Sequence, residues 1–415
     1  MLVGKHKNKM TSLDAVGSLI TTTQAVNVVR YKSDFDKIAL LFAFRRKEWE
    51  EVEENAPWNF YWVSVGRLKM FFSAEITCRL TDSQIINHFP NHIELTRKDL
   101  MFKNIKRYYR DPSAATSVVN ARGDLRFWDC VPITYSVPGD YSLFSEEFKR
   151  HHGSSWIVKP TNRSQGKGIF LITKLTQMNK WLRDRQAEED VNPFIVSRYI
   201  DKPLLIGGKK FDLRLYVLVT CYRPLVAYLH KQGFARFCAT KYAPTSMDEE
   251  DLGSHLTNVA LQKGEEEYND VHGGKWTVGN LWLYLQGVYG HAAADNVMSD
   301  IEFVIVQSLK SVQSAILNDK HCFELYGYDI LLDQSLRPHL IEVNASPSLT
   351  VTTVNDRLLK EEVLFDTMNV VFPPGFPNPN SMPYVEYRTR TDLTAAHLGG
   401  FKLVSEPVAP GGAAP

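Results

Sequence analysis

The segment 326–349 restricts the fold more than any other part of the chain, because it predicts two adjacent strands that carry acidic residues among apolar ones. Residues 326–332 and 339–343 are dominated by aromatic, β-branched and other apolar side chains. The residues between them are mostly turn formers. The sequence therefore predicts a β-hairpin folded about Ser335 and Leu336.

This hairpin brings two carboxylates together. It places Asp329 opposite Glu342, and Asn344 lies on the same face as Glu342 because strand side chains alternate. Carboxylates paired in this way are about 5 Å apart and repel each other, so either one is protonated or a cation lies between them. Asp, Glu and Asn oxygens suit a hard cation such as Mg²⁺. The alternative is a register shifted by one residue, which would turn one carboxylate to the other face.

Composition sets broad limits on the chain. With 415 residues, 44% of them hydrophobic and 23% charged, the sequence is that of an ordinary soluble protein with two or three cores. The net charge of +1 means that attraction to a charged partner must come from a local patch. The N-terminus lacks an apolar signal core and no 18-residue apolar run occurs, so neither secretion by that route nor a membrane span is expected. Reduced core thiols are predicted for the five cysteines, Cys78, Cys130, Cys221, Cys238 and Cys322, since none forms a CxxC pair.

A glycine-rich loop lies between two short apolar segments. Residues 156–159 predict a strand stopped by Pro160, residues 163–168 predict a flexible loop, and residues 169–172 predict a second strand. Such a flap lets backbone N–H groups approach phosphates. It is not a Walker A loop, because a glycine and then a strand follow its lysine. Lys159, at the end of an apolar strand, is expensive to bury unless an anion meets it.

Two further charged patterns have more than one interpretation. Lys210, Asp212 and Arg214 alternate along a predicted strand, either as a charge-neutralised structural ladder or as a row facing a phosphate and its metal. A helix starting near Thr96 would place four basic residues on one face, either as a solvated surface or as a docking surface for an acidic polymer: Lys103, Lys106, Arg107 and Arg110. Two nearby histidines, His88 and His92, are expected to be structural.

Several segments together resemble a known family. KPTNRSQGKGIF, SRYIDKPLLIGGKKFDLRLYVLV, HLTNVALQK and YGYDILLD…HLIEVNASPSL look like the signature of tubulin–tyrosine ligase-like proteins, which are ATP-grasp amide ligases. WNFYWVSV and NHFPNHIELTRKDLMFKNIKRY make the sequence most similar to the branch of tubulin polyglutamylase catalytic subunits. The resemblance covers about residues 31–372.

The resemblance implies an α/β (α+β) ATP-grasp fold with ATP between its last two lobes. The expected divisions are a flexible N-terminal tail at 1–28, an N-terminal α/β lobe at 29–127, a central lobe with the phosphate flap at 128–205, and a C-terminal lobe with the metal hairpin at 206–372. Proline and glycine accumulate after Phe372, so residues 373–415 are predicted to form a disordered tail.

The resemblance also implies particular site residues. ATP would contact Lys159, Gln165, Gly166, Ser197, Arg198, Tyr199, Ile200 and Lys210, with the adenine served partly by backbone groups of 197–200. Mg²⁺ would bind Asp329, Glu342 and Asn344. The amino-acid substrate would contact Arg236, Thr257, Asn258 and Lys275. The catalytic residues that neutralise charge would be Lys159, Arg214, Arg236 and Glu342.

The implied activity is tubulin polyglutamylation: ATP-dependent ligation of glutamate to tubulin C-terminal tails through an acyl phosphate. The expected partners are tubulin or microtubules, free L-glutamate and accessory subunits, with no nucleic acid and no membrane. The expected location is the cytoplasm and cytoskeleton, including the axoneme or basal body of a cilium or flagellum. A glycylase or tyrosine ligase and a non-catalytic microtubule-binding subunit are the alternatives, although Arg236 and Lys275 favour an acidic amino acid.

Overall fold

The computed structural model describes most of the chain as three lobes, each built on a β-sheet. This arrangement of helices and mixed sheets is consistent with the predicted α/β (α+β) class. The described residues are 28–73, 79–112, 118–161, 168–187, 193–243, 252–257 and 274–405. The predicted tail at 1–28 falls almost wholly outside them.

The N-terminal lobe contains a parallel four-stranded sheet in the order β2-β1-β3-β4. Its strands are β1 (Arg30–Ser33), β2 (Glu50–Glu51), β3 (Phe60–Trp62) and β4 (Ile85–Ile86). Its helices are α1 (Ile38–Arg46), α2 (Lys69–Phe72), α3 (Ile93–Thr96) and α4 (Lys98–Tyr109), followed by a 3₁₀ turn at Phe127–Cys130. A bridge between Ile86 and Cys322 ties this sheet to the C-terminal lobe.

The central lobe is an antiparallel sheet in the order β5-β8-β6-β7. Its elements are β5 (Thr134–Val137), α5 (Tyr141–Arg150), β6 (Trp156–Pro160), β7 (Phe170–Ile172), α6 (Leu175–Ala187) and β8 (Phe194–Arg198). Its own small core centres on the fully buried Trp156 and Phe144. The strands on both sides of the predicted flap are therefore present, whereas residues 162–167 lie outside the described part of the chain.

The C-terminal lobe carries the largest sheet, in the order β12-β11-β10-β13-β14, with β9 added beside β10 and β15 beside β11. Its strands are β9 (Leu205–Ile206), β10 (Lys209–Tyr222), β11 (Leu225–Phe237), β12 (Lys275–Thr277), β13 (Glu324–Leu332), β14 (Pro338–Asn344) and β15 (Phe401–Leu403). Its helices are α7 (Leu252–His255), α8 (Val278–Tyr289), α9 (His291–Val312), α10 (Val354–Val371), α11 (Tyr384–Tyr387) and α12 (Ala395–Leu398).

Strand β10 shows why this sheet has two different faces. Its odd-numbered residues from Phe211 to Val219 are apolar and join the core beneath α8 and α9. On the opposite face, Tyr216 and Leu218 join a second core with α1 and α10. Because side chains alternate along the strand, the polar residues of 210–214 lie on that second face, at the end where the apolar core stops.

The prediction of disorder after Phe372 is wrong for residues 373–405. Strand β15 pairs with β11 through Leu229 and Lys402, and Tyr384 and Phe401 are buried in the second core. Arg388 is buried too, where it donates to the carbonyl of Thr220 at 2.9 Å. The proline-rich composition concealed these aromatic and arginine anchors, which supply the apolar burial and hydrogen bonds that a disordered tail lacks. The C-terminal lobe therefore extends beyond its predicted boundary, to residue 405.

We expect Gly400→Ala to destabilise the protein, because the C-terminal segment is held where no side chain fits. The Gly400 amide donates to Asp366 Oδ2 at 2.7 Å, and that carboxylate lies 3.1 Å from His230 Nε2. A Cβ on Gly400 would collide with the His230 ring. Overpacking of this kind costs about 1–3 kcal/mol, which denaturant titration would measure. Gly287→Ala in α8 is the control: its Cβ would meet nothing within 4 Å, so that variant should be no less stable than the parent.

The structure also bears on two compositional expectations. Four of the five cysteines are free and buried, as predicted, and Cys78 lies outside the described residues. Within the described ranges, no helix combines the length and the apolar character needed to cross a bilayer.

Candidate active site

The hairpin register predicted from the sequence is confirmed at the site. Asp329 pairs with Glu342 and Gly327 pairs with Asn344. The turn itself is tighter than predicted, since Leu332 pairs with Pro338 and the loop is centred on Ser335. A β-bulge between Asp329 and Ile330 then shifts the register by one residue. The carboxylates therefore face each other because of the bulge, which the sequence pattern did not reveal.

Charged side chains cross the sheet in a continuous line, which we call the charge row. Residues paired across neighbouring strands have side chains on the same face of the sheet. Four such pairs occur here: Lys275 with Arg236, Arg236 with Asp212, Arg214 with Asp329, and Asp329 with Glu342. Asp212 and Arg214 are two residues apart on β10 and so share that face. The charge row thus contains Lys275, Arg236, Asp212, Arg214, Asp329 and Glu342.

Within the charge row, Asp329 is neutralised by two arginines. Arg214 donates from Nε to Oδ1 at 2.6 Å and from Nη2 to Oδ2 at 3.0 Å. Arg236 Nη2 lies 2.9 Å from Oδ2 of Asp329, and the same guanidinium donates twice to Asp212 at 2.6 and 2.8 Å. Burial alone would raise the pKa of Asp329, but the two arginines outweigh it and hold that pKa well below its usual range. The carboxylate is therefore ionised.

Glu342 is neutralised from a different lobe. Lys98 Nζ, at the first residue of α4, lies 3.0 Å from Glu342 Oε2. The sequence predicted that the repulsion between the two carboxylates is relieved by protonation or by a bound cation. It did not predict that basic side chains relieve it, as Lys98, Arg214 and Arg236 do. One signal was available for Lys98: a cation at a helix N-terminus is disfavoured by the helix dipole, so it implies a compensating anion.

The oxygen donors nevertheless fit the predicted magnesium ion. Asn344 uses its amide nitrogen to bond Glu342 Oε1 and the Gly327 carbonyl, each at 3.3 Å, so these bonds leave its oxygen to act as a ligand. No group of three His, Cys, Asp or Glu side chains that could hold a metal occurs in the described part of the chain. The site therefore needs the Asn344 oxygen in addition to Asp329 and Glu342, which is a hard-ligand set. Magnesium binding by these residues stays a prediction.

Two lysines line the cleft beside the charge row. Lys210 is buried and Lys159 is half-buried. Lys159 on β6 and Lys210 on β10 line the same cavity as Asp329 and Glu342. Lys210 donates to Tyr199 Oη and to the His255 carbonyl, both at 2.9 Å. Burial lowers the pKa of each lysine to about 8. Cations this far removed from water are stabilised when an anion enters, which suits a phosphate chain.

The segment 197–200 lines the same cavity, but several of its polar groups are already engaged. The Ser197 hydroxyl lies 2.8 Å from Thr134 Oγ1. The amides of Arg198 and Tyr199 donate to the carbonyls of Ile133 and Ser155 at 2.8 and 2.9 Å. An adenine edge would therefore have to meet the other backbone groups of this segment, up to Ile200.

The predicted substrate residues are only partly brought together. Arg236 and Thr257 line the cavity, whereas Lys275 lies at the far end of the charge row, bonded to Asp356 and Thr352 at 3.0 Å. The remaining predicted positions, Asn258 in the substrate set and Gln165 and Gly166 in the flap, lie outside the described residues. The roles of all these residues stay predictions.

The structure shows the surroundings of the two histidines and of the predicted basic helix. His88 is buried with its Nδ1 2.5 Å from Glu324 Oε1, and His92 Nδ1 lies 3.1 Å from the Phe89 carbonyl, so both are structural as expected. Helix α4 exposes Lys103 and Arg107, and Arg110 caps it. The predicted basic surface is therefore present.

We expect nucleotide affinity to fall as the pH rises. Lys159 and Lys210 have pKa values near 8, so in the free protein both lose their charge between pH 7 and pH 9. If the phosphates bind the charged form, each lysine must be reprotonated, which at pH 9 weakens binding by roughly tenfold per lysine. Calorimetric titration of a non-hydrolysable ATP analogue would measure this change. Lys159→Arg should remove about half of the logarithmic slope, since arginine stays charged, whereas a flat profile in the parent protein would contradict the lysine assignment.

The sequence is similar to that of known proteins over most of its length. Residues 77–380 match the tubulin-tyrosine ligase family. "Probable alpha-tubulin polyglutamylase Ttll1" of Tetrahymena thermophila is 47% identical over 375 residues, covering 88% of this chain and 91% of the relative. "Probable tubulin polyglutamylase TTLL9" of Bos taurus is 40% identical over 374 residues, covering 83% and 79%. "Probable tubulin polyglutamylase ttll-9" of Caenorhabditis elegans is 37% identical over 371 residues, covering 86% of each chain.

The fold and these similarities define an ATP-dependent ligase of the ATP-grasp class, which forms carbon–nitrogen bonds. The chain belongs to the tubulin-tyrosine ligase family.

Proposed function

We propose that this protein is a tubulin polyglutamylase, which uses ATP to join glutamate to glutamate side chains or growing chains on tubulin C-terminal tails. The observation that carries the proposal is a single cavity, which Lys159 and Lys210 line together with Arg236, Asp212, Asp329 and Glu342 of the charge row. Such a cleft offers oxygen ligands for a metal and cations for phosphates within one site. The named relatives with 37–47% identity supply the choice of tubulin and glutamate.

The reaction needs no covalent bond to the enzyme. An oxygen of a tail carboxylate bonds to the γ-phosphorus of ATP as the bond to the β–γ bridging oxygen breaks, which releases ADP. The amine nitrogen of free glutamate then bonds to the acyl carbon of this acyl phosphate. The carbon–oxygen bond to phosphate breaks, and the proton of the amine passes to the released phosphate. Catalysis is then positioning and charge neutralisation.

Each group in the cleft has a part in this chemistry. Lys159 and Lys210 hold the phosphates through their charge. Asp329, Glu342 and Asn344 would hold Mg²⁺, which neutralises charge on the transferred phosphoryl group when bound. Arg214 keeps Asp329 ionised and in place through two hydrogen bonds.

The amino acid is selected at the other end of the charge row. The contacts that Arg236 makes with Asp212 and Asp329 use Nε and Nη2, so Nη1 is the nitrogen to meet a substrate carboxylate. Lys275 lies opposite Arg236 on the neighbouring strand and supplies a second cation. Glutamate carries two carboxylates, so a pair of cations favours it over glycine or tyrosine.

The proposal is tested by supplying the purified protein with ATP, microtubules and labelled glutamate, glycine or tyrosine in parallel. We expect label from glutamate alone, with mass spectrometry showing glutamates added to the tubulin tails. Incorporation of glycine alone would overturn the choice of amino acid. No incorporation, with or without a cell extract that could supply partner subunits, would overturn the activity.

The exposed basic face of α4 is the proposed docking surface for the acidic tail. Lys103, Arg107 and Arg110 are exposed, and Lys98 at the start of the same helix reaches the cleft at Glu342. A polyanionic peptide attracted to this face would be led toward the site.

We further propose that accessory subunits assist targeting and that the protein acts at the cytoskeleton, including axonemes or basal bodies of cilia and flagella.

Reversing the charge of this face should weaken microtubule binding. We expect the triple variant Lys103→Glu, Lys106→Glu and Arg107→Glu to lower microtubule affinity by roughly tenfold or more at low salt, measured by co-sedimentation. The difference should shrink as salt is added, because screening removes long-range attraction. The matched control is the triple variant Lys174→Glu, Lys180→Glu and Arg183→Glu in and beside α6 of the central lobe. Equal losses for both variants would show that only net charge matters.

A further inference from the structure

Asp356 is a buried carboxylate that no sequence motif singled out. It lies in the first turn of α10 and is 0% exposed. Its Oδ2 accepts a hydrogen bond from Lys275 Nζ at 3.0 Å, and Lys360 Nζ lies 2.9 Å from its Oδ1. Two lysines thus surround one carboxylate away from water. Such a cluster carries surplus positive charge, which is costly unless an anion joins it.

The two lysines are not equivalent. Lys360 is one turn along the same helix and donates to the Thr350 carbonyl at 2.6 Å, which fixes it within the helix end. Lys275 comes from β12 and donates to Asp356 and to Thr352 Oγ1, each at 3.0 Å. Thr352 in turn donates to Asp356 through its amide and hydroxyl, at 3.0 and 2.9 Å. Among the described residues these bonds use two of the three hydrogens that the Lys275 ammonium can donate.

The position of Lys275 connects this cluster to the cleft. Lys275 pairs with Arg236 across β11 and β12, so both side chains lie on the face that carries the charge row. Its Nζ also lies 5.1 Å from the ring centroid of Phe234, which restricts it from one side. A carboxylate placed between Arg236 and Lys275 would therefore meet two cations, each held from behind by an aspartate.

We propose that Asp356 is a positioning residue for the amino-acid substrate, which holds the Lys275 ammonium charged and oriented toward a substrate carboxylate. This inference rests on the proposed function, in which Lys275 contacts glutamate. Asp356 itself touches no substrate. Its partner Thr352 fixes the carboxylate, and Lys360 balances the second carboxylate oxygen.

The charges around Lys275 make this role specific to Asp356. Burial, Arg236 and Arg214 all lower the pKa of Lys275, whereas Asp356 raises it. Lys360, on the far side of Asp356, adds a further positive charge nearby. Loss of the Asp356 carboxylate would leave Arg236, Arg214 and Lys360 as the charged groups named here around Lys275, so Lys275 would lose its proton more readily.

Kinetics of Asp356→Asn give the first test. We expect the KM for glutamate to rise about tenfold or more while the KM for ATP changes less than twofold, because only the amino-acid site is disturbed. Asp366→Asn is the matched control, since Asp366 is a buried aspartate on the same helix that binds His230 and the Gly400 amide. It should lower stability without changing the KM for glutamate. Thr352→Val removes one hydrogen bond to Lys275 and should raise the KM for glutamate by a smaller factor. It replaces Asp356→Asn as the test variant if Asp356→Asn does not fold.

A second test needs no ligation. Lys275 in the intact protein is acetylated with acetic anhydride across a pH series and quantified by mass spectrometry. Asp356→Asn should move the labelling midpoint of Lys275 to lower pH, and Asp366→Asn should not. An unchanged midpoint, or equal rises in KM for glutamate and ATP, would overturn the positioning role. Failure of the parent protein to transfer glutamate would instead overturn the proposed function, while the labelling result still decides whether Asp356 controls Lys275.

Discussion

Glu342→Gln is expected to lower the ligation rate by about a thousandfold while leaving the protein folded. The substitution keeps the shape of the side chain but removes one of the two negative charges in the predicted magnesium site, and losses of this size follow the removal of a single electrostatic contact to a transition state. The fold should survive because the Glu342 side chain is 23% exposed. The amide oxygen of the introduced glutamine can still accept a hydrogen bond from Lys98. Initial rates of glutamate transfer and a thermal unfolding curve would measure both effects.

The variant Lys98→Met distinguishes the predicted role of Glu342 in magnesium binding from its role in the ion pair with Lys98. If Glu342 matters through its charge toward the metal, the magnesium concentration needed for half-maximal rate should rise strongly in Glu342→Gln and little in Lys98→Met. Full activity of Glu342→Gln would show that the metal site is misplaced. Equal magnesium requirements in the two variants would assign Glu342 to the pair with Lys98 instead.

Arg214→Met is expected to lower the free energy of unfolding by about 3–5 kcal/mol, the cost of removing one partner from a buried ion pair. Arg214 and Asp329 are joined by two hydrogen bonds, with side chains 13% and 5% exposed. Methionine preserves much of the apolar stem but leaves Asp329 with Arg236 as its remaining cation on the charge row. That remaining contact places the expected loss toward the lower end of the range. Urea unfolding followed by fluorescence would measure it.

The exposed pair Arg390–Asp392 is the matched control. It has the same two-bond geometry, at 2.7 Å for each bond, but its side chains are 38% and 70% exposed. Arg390→Met should therefore cost less than about 1 kcal/mol, because water screens and replaces the pair. Adding Asp329→Asn to Arg214→Met should recover part of the loss, since no uncompensated charge is then buried. Equal losses at both sites would refute the dependence on burial.

The hairpin shows how far the sequence alone could lead. The turn assumed at Ser335 and Leu336 paired Asp329 with Glu342 correctly, because two deviations from the predicted hairpin cancel each other at the site. The turn was placed one residue off, and the bulge that compensates has no residue signature of its own. Local pattern thus predicted the contact but not the backbone path that produces it.

Contacts between distant parts of the chain could not be predicted in this way. Lys98 meets Glu342 and Asp356 meets Lys275 only because separate lobes and helices converge, and hydrophobic periodicity carries no information about such partners. Composition was misleading in the C-terminal segment, where many prolines surround a few deeply buried anchors such as Tyr384 and Phe401. The family resemblance supplied candidate residues for the cleft, but not the ion pairs that hold them.

The pairing of β15 with β11 has a consequence for how the protein is made. Strand β11 lies early in the large sheet, whereas its partner β15 is near the end of the described chain. During synthesis, residues 228–230 of β11 therefore lack this partner until residues 401–403 have left the ribosome. Open strand edges invite pairing with other chains, and long-range strand contacts form slowly. Chains truncated before Phe401 are therefore expected to aggregate, although every residue of the candidate site precedes Phe401 in the sequence.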